Sequence, residues 1–257
     1  ELSQLMLTPA NARRLAERLS QMRGAVMKVG QLMSMDGHSL LPPQFAELLG
    51  GLRDRAHVMP ATQLIEVLER EYGSGWHARF RRFSFEPVAA ASIGQVHRAE
   101  TPDGRVLALK IQYPGVRQSI DSDVANLGLL ARLPTPGPAR PDPTPMLERI
   151  RMQLHRETDY AAEAASLTAY REALGDDPVL TVPQVQADYC TATILATDFA
   201  TGIAIDRLAD PAQPRAHRDH VAAALTRLSV REFFEMRLVQ TDPNFGNYLF
   251  DADSGRI

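Results

Sequence analysis

Pro87-Val-Ala-Ala-Ala-Ser-Ile-Gly-Gln-Val-His97 and, a few residues on, Val106-Leu-Ala-Leu-Lys110 are the stretches from which the rest of this 257-residue chain can be read. Both are short apolar runs bounded by turn-forming residues, the pattern of extended strands. Between them Thr101-Pro-Asp-Gly-Arg105 is a turn signature, with glycine available for a positive backbone angle. The segment therefore reads as strand, hairpin, strand. Lys110 closes it, a cation at the end of an apolar run. Taken singly, an alanine-rich run is an ordinary packing feature, and a lone lysine is an ordinary snorkelling residue.

Order and spacing carry more. Laid against the protein-kinase phosphate loop G-x-G-x-x-G-x-V and its following V-A-I-K strand, the chain places Ala89, Ala91, Gly94 and Val96 at the four loop positions and Lys110 at the lysine. Two of the three glycines have become alanine. Downstream, one long helix is predicted from about Met146 to Leu174, carrying Glu157, Asp159 and Glu163, with Asp159 and Glu163 four apart on one face. Three acids on a helix are normally a wet surface. A kinase fold, however, needs a glutamate on this helix to hold the lysine toward the phosphates. Glu163 is assigned that role and Glu157 is the alternative, between which spacing does not choose. Further on, Gln240-Thr-Asp-Pro-Asn-Phe-Gly-Asn-Tyr-Leu-Phe250 repeats the catalytic-loop interval H-R-D-L-x-x-x-N. Asp242 stands where an aspartate orients the acceptor, and Asn247 where an asparagine holds a metal.

Composition narrows the class. The chain is 44% hydrophobic and 23% charged, ordinary for a globular protein that buries a core. A net charge of -3 with an isoelectric point near 6.2 gives no basic footprint for nucleic acid, so nucleic acid is not expected as a partner. Arg79, Arg81 and Arg82 cluster, which a solvated face explains. The single Cys190 excludes a disulfide framework and any cysteine-based metal site and suits a reducing cytosol. No apolar run reaches the ~18 residues that would span a bilayer, and no signal peptide precedes the first helix.

From about Pro9 to Met35, Leu15, Leu19, Met22, Val26, Val29 and Met33 form an amphipathic stripe. Lys28 and Gln31 lie off it, with Gly30 between them. A glycine inside a helix costs ~1 kcal/mol relative to alanine, so a close approach to another backbone is expected there. Two further helices are read at Pro43 to Leu52 and Pro60 to Tyr72, completing a helical extension. After Lys110-Ile-Gln-Tyr-Pro-Gly115 a helix is predicted from Arg117 to Leu133. A connector with proline at nearly every second position, Pro134 to Pro145, follows as an extended spacer. Strands are read at Thr181 to Val185 and Ala192 to Thr197. The latter leads into Asp198-Phe-Ala-Thr-Gly202, a hinge at which Thr197 and Phe199 are candidates for the adenine edge. A helix is predicted from Ala216 to Leu238.

With these segments in place, the sequence resembles the UbiB/ADCK family of atypical kinase-like proteins over nearly its whole length. Lys28-Val-Gly-Gln31 is similar to that family's K-x-G-Q motif, Ala89-Ala90-Ala91-Ser92 to its alanine-rich loop, and Glu157-Thr-Asp159 to its E-x-D motif. Lys110-Ile-Gln-Tyr-Pro-Gly115 and Gln240-Thr-Asp-Pro-Asn244 match as well. The resemblance implies binding of adenine nucleotide, ATP or ADP, with magnesium, and a part in ubiquinone biosynthesis as an ATPase or small-molecule phosphotransferase. Isoprenoid lipid or quinone precursors and a biosynthetic complex are the implied partners, with peripheral contact at the inner membrane on the cytoplasmic side in a bacterial setting. It also implies that the K-x-G-Q helix lies across the cleft, with Lys28 near Glu157 and Asp159. In the family a D-F-G triplet follows the catalytic-loop strand, and this chain reaches Ile257 just before it. The competing class is a non-catalytic, nucleotide-gated scaffold or lipid-binding chaperone.

The expected architecture is α+β: a protein-kinase-like fold with a helical extension over residues 1–82, a five-stranded N-lobe sheet over 83–200 interrupted by an insertion at about 116–145, and an incomplete helical C-lobe over 201–257.

Overall fold

The computed structural model describes residues 58–131, 142–241 and 244–257. Strands β1 (Arg82–Phe83), β2 (Ala89–Ala90), β3 (Gly94–Glu100), β4 (Val106–Gln112) and β5 (Ile194–Asp198) form one antiparallel sheet in the order β1-β3-β4-β5, with β2 also on β3. The hairpin is as expected. Gly104 takes its positive φ of 89° in the turn, and the buried Thr101 hydroxyl donates to the Arg105 carbonyl.

Strand pleating sorts β4 into two faces. Leu107, Leu109 and Ile111 are fully buried on one, paired across the sheet with Ala99, His97 and Gln95. Helix α1 (Ala61–Tyr72) lays Leu64, Val67 and Leu68 on that face together with Met59, Trp76 and Phe80. One core thus unites residues on both sides of position 82. Truncating Leu64 or Leu68 here would cost about 2–5 kcal/mol. The two polar residues of this face are partnered from its edge. Gln95 accepts from the Met59 amide at 3.0 Å, and His97, stacked on Phe83, bonds the Ser84 carbonyl through Nδ1. Burial lowers the His97 pKa, against the smaller upward pull of the Ser84 carbonyl, so the ring stays neutral. The opposite face of the hairpin carries Gly94, Val96, Ala108, Lys110 and Gln112.

Helices α2 (Val116–Ala131) and α3 (Thr144–Glu157) pack through Ile120, Val124, Leu127, Ile150 and Leu154, joined by Ile93, Leu195 and Tyr160. The single helix read from 146 to 174 is in fact two. α3 ends at Glu157, Thr158 and Asp159 turn the chain, and α4 (Tyr160–Leu174) begins afresh. Asp159 is the reason: its backbone leaves the helical region (φ -93°, ψ 82°) and its carboxylate accepts from the Ala162 amide at 3.0 Å, an N-cap. Asp159 is therefore the cap of the helix that carries Glu163 and not a residue within it, and Glu157 belongs to a different helix.

Two other expectations are corrected. Thr181 to Val185 is not a strand, and only Val185 bridges, to Thr197. Pro183 in its middle has no N–H to give a ladder. The helix expected over 216–238 runs only as α5 (Arg215–Arg231). It then widens into a π turn over Glu232–Met236, stopped by Arg237 in the left-handed region at φ 53°. A small second sheet pairs β6 (Ile203–Ala204) with β7 (Leu249–Phe250). Gly202 is required where they meet. Its φ is 129°, and a Cβ there would lie 2.7 Å from the Phe250 carbonyl oxygen.

Asp177 fastens the segment after α4 to α5. It accepts from the Val179 and Leu180 amides, both at 2.8 Å, and pairs with Arg231 at 2.7 Å and Arg227 at 3.3 Å. Burial alone would raise its pKa. The two N–H groups and the two guanidiniums outweigh burial and hold the carboxyl below the usual aspartate range. With the folded value below the unfolded one, this stabilisation is complete above about pH 4 and drains away as pH falls through the lower folded value. Asp177→Asn is expected to melt below the parent at neutral pH and to lose that deficit below about pH 4. Thermal melts across the acid range check this, and a pH-independent gap would contradict it.

Candidate nucleotide site

Lys110 sits on the face of β4 turned away from the core, so its amine is free to meet the helix that follows the break. Its Nζ lies 2.7 Å from Glu163 Oε1 and 3.0 Å from Oε2. The two side chains are 26% and 33% exposed, so the pair opens to solvent on one side. Of the two glutamates that spacing left open, Glu163 holds the lysine. Glu157 instead accepts from the Ser92 hydroxyl at 2.7 Å, tying the alanine-rich loop to the end of α3. The Lys110 amine also stands 5.1 Å from the centre of the Tyr160 ring, within cation–π range.

Tyr160 was not singled out by sequence, although it is the first residue after an Asp N-cap. It is 2% exposed, and its hydroxyl has no hydrogen-bond partner among the described residues. Burial, with Glu163 and Glu157 adding to it, pushes that hydroxyl well above the ordinary phenol range. The ring, then, is the useful part. Tyr160→Phe is expected to match or exceed the parent in melting temperature, since it removes a buried polar group left unpaired. Tyr160→Leu should lose about 1–3 kcal/mol through the void and the lost ring. Chemical denaturation of the two variants checks this, and a phenylalanine variant as unstable as the leucine one would show that the hydroxyl matters.

The loop itself is a tight hairpin. Ala89 and Ala90 pair with Val96 and Gln95, the Ala91 amide donates to the Gly94 carbonyl at 2.9 Å, and the Ile93 side chain is buried in the core. Ala91 and Ser92 are half-buried at its tip. Gly94 has a structural reason to be glycine, because a Cβ there would lie 2.2 Å from the Ile111 carbonyl oxygen. Val96 faces Lys110 across the ladder.

At the hinge, the Thr197 hydroxyl donates to the Asp198 carbonyl and the Phe199 amide donates to the Val106 carbonyl at 3.0 Å. Phe199 N–H is therefore engaged within the fold, and the Arg98 guanidinium covers its ring at 5.7 Å. The stretch Ala200–Gly202 that follows is exposed. Asn247 is exposed at the end of a short 3-10 turn, Phe245–Asn247, capped by the Asn244 side chain accepting from Gly246 N at 3.0 Å. Asp242, Lys28, Gly30 and Gln31 lie outside the described residues, so the placing of Lys28 beside Glu157 and Asp159 stays an expectation. Among the described residues no group of three or more His, Cys, Asp or Glu could hold a metal ion, and no helix is long and apolar enough to cross a membrane.

A second missed residue is Glu232, 7% exposed in the π turn. Its Oε1 accepts from the Tyr170 hydroxyl of α4 at 2.6 Å and from the Gln240 amide at 3.1 Å. The Tyr248 hydroxyl donates to the Gln240 side-chain oxygen. The Gln240 end of the catalytic-loop motif is thus fastened to the helix that bears Glu163. In the sequence Glu232 reads as one more polar residue of an amphipathic helix.

An antiparallel sheet whose hairpin ends in a lysine, ion-paired to a glutamate on a helix inserted before the next strand, defines the nucleotide lobe of a kinase-like fold. Residues 51–257 match the ABC1 atypical kinase-like domain, and the chain belongs to that family. Its sequence is 40% identical over 257 residues to the rat protein named "Atypical kinase COQ8B, mitochondrial", covering 100% of this chain and 48% of that one. It is 36% identical over 253 residues to "Atypical kinase COQ8, mitochondrial" of Saccharomyces cerevisiae, covering 98% of this chain and 50% of that one. The chain spans about half the length of the curated relatives it matches. Among solved structures it is similar to the Rv3197–erythromycin complex from Mycobacterium tuberculosis, with 30% identity and a TM-score of 0.65 over 99% of this chain and 64% of that one. These likenesses bear out both the kinase-like α+β fold and the family read from the motifs.

Proposed function

We propose that this chain forms the nucleotide-binding part of an atypical kinase-like protein that binds ATP or ADP and supports ubiquinone synthesis through ATPase or small-molecule phosphotransferase activity. The observation that carries the reading is the Lys110–Glu163 pair at 2.7 Å, a cation held by a helix and open to solvent on one side. A structural ion pair needs no such opening. A site for anionic phosphates does, because the lysine must reach the ligand while the glutamate fixes its position. The relatives named as atypical kinases of the COQ8 type favour the quinone context.

In this reading Lys110 binds the phosphates, Glu163 orients it, and the Ala89–Ser92 turn with Gly94 and Val96 roofs the nucleotide. Asp242 positions the acceptor or takes its proton. Asn247 offers a side-chain oxygen of the hard type that magnesium prefers, and the phosphates would supply further oxygen ligands. A magnesium ion so held would supply charge neutralisation to the transferring phosphoryl group. Isoprenoid lipid or quinone-precursor partners, a biosynthetic complex and peripheral contact with the inner membrane complete the proposal.

The test is ATP turnover by the intact protein, with and without magnesium and with lipid or quinone-precursor mimics. Metal-dependent turnover supports the reading. Tight nucleotide binding with no turnover under any of these conditions would overturn it in favour of a nucleotide-gated scaffold.

A further inference from the structure

The break between α3 and α4 leaves a backbone carbonyl to be accounted for. In a continuous helix the Thr158 carbonyl would accept from the amide four residues on, that of Ala162. That amide is taken by the Asp159 side chain. Thr158 is fully buried, and a buried carbonyl without a donor is costly. The donor comes from the sheet: Gln112 Nε2 reaches the Thr158 carbonyl at 2.9 Å. Since the partner is a carbonyl, the amide must present its nitrogen, which fixes the side-chain orientation without ambiguity.

Gln112 is itself only 3% exposed and stands two residues beyond Lys110 on the same face of β4. One strand therefore touches the start of α4 twice, at Thr158 through Gln112 and at Glu163 through Lys110. The first contact is buried and neutral, and the second is half-open and charged. Surface ion pairs define geometry weakly, because two long side chains must be held against their own entropy. A buried amide with one short reach does so more firmly.

We infer that Gln112 is a positioning residue, whose side-chain amide fixes the first turn of α4 against β4 and so sets the distance between Lys110 and Glu163. This rests on the reading of that pair as the phosphate-binding element. An ordinary core glutamine would stabilise the fold without acting through Glu163, and the two roles separate in a double-mutant cycle.

The experiment uses the intact protein with Gln112→Leu, Glu163→Gln and both together. Gln112→Glu serves as a second variant, of nearly the same size but with no N–H for Thr158. Two readouts are taken: ATP turnover, and amide hydrogen exchange of residues 163–168 without nucleotide. The Gln112 variants are expected to lower kcat at least about tenfold with KM within about threefold, the signature of a lost orienting contact. The double variant is expected to turn over no more slowly than Glu163→Gln alone, because both act through one group. Exchange at 163–168 should quicken about tenfold with residues 61–72 unchanged. Losses that multiply, an unchanged kcat, or exchange that rises equally throughout would each overturn the inference. If the parent turns over no ATP, the functional reading fails, and exchange alone decides: local quickening upholds the clamp and its absence overturns it.

Discussion

Lys110→Met in the intact protein is expected to cut ATP turnover by about 100- to 1,000-fold, the range seen when one preorganised electrostatic donor is removed from a reacting charge. Melting should barely move. Both partners in the pair with Glu163 are a quarter to a third exposed, and such a pair is worth at most about 1 kcal/mol to stability. Those two magnitudes differ enough to decide the matter in one variant. Steady-state kinetics and a thermal melt on the same preparation check it. A variant that unfolds, or that keeps its turnover, would show the lysine to be structural.

Gly94→Ala is expected to do the reverse and cost the fold at least about 3 kcal/mol, the upper end for overpacking. Its Cβ would sit 2.2 Å from the Ile111 carbonyl oxygen and 2.9 Å from the carbonyl carbon, both backbone atoms of the neighbouring strand, which cannot swing aside as a side chain would. Loss of soluble protein or of cooperative unfolding checks this, and an alanine variant as stable as the parent would contradict it. Ala91→Gly at the tip of the same turn is the useful contrast. Ala91 is half-buried outside the paired strands, and glycine there widens the accessible backbone angles. It should change nucleotide preference or self-phosphorylation more than melting. Equal nucleotide affinities and unchanged phosphate incorporation would sink that prediction.

The difference between these two positions shows how far sequence reasoning reached. Spacing alone aligned Gly94 with a phosphate-loop glycine, and the strand, turn and lysine are where that alignment puts them. The alignment could not say that a crossing backbone, and not a ligand, demands a glycine there. Likewise Glu157 and Glu163 were both on the page, six residues apart, and periodicity on one assumed helix left them equal. The tie was broken by Thr158-Asp159, a helix stop and N-cap in consecutive positions, whose side-chain bond to the Ala162 amide resets the helical phase. That signal was present in the letters and was read as part of an acidic motif. Gln112, Tyr160 and Glu232 were not singled out at all. Each matters through a partner far away in sequence, at Thr158, Lys110 and Tyr170, and no local pattern encodes such a contact. The widening of the chain at Glu232–Met236 was equally hidden, since the apolar spacing of Leu225, Leu228 and Phe233 continues through it.

The antiparallel register that joins β4 to β5 has a consequence for how the chain acquires its shape. Lys110 pairs with Leu195 and Leu109 with Ala196, and all of residues 113–193 lie between the two strands. The β3–β4 hairpin, by contrast, closes through a turn of a few residues. Short hairpins form in about 1–10 microseconds, whereas pairings between distant segments carry the loop-closure entropy and set the folding rate. Assembly is therefore expected to begin at the Thr101–Arg105 turn and finish when β5 docks, with α2, α3 and α4 already folded in the excursion. Pulse-labelled exchange during refolding would show protection of Leu107 and Leu109 before Leu195 and Thr197, the β5 residues paired with Lys110 and Ala108. Until that last strand arrives, the Lys110 edge of β4 is bare, an open template for another chain, and the interval before docking is when misassembly is most to be expected.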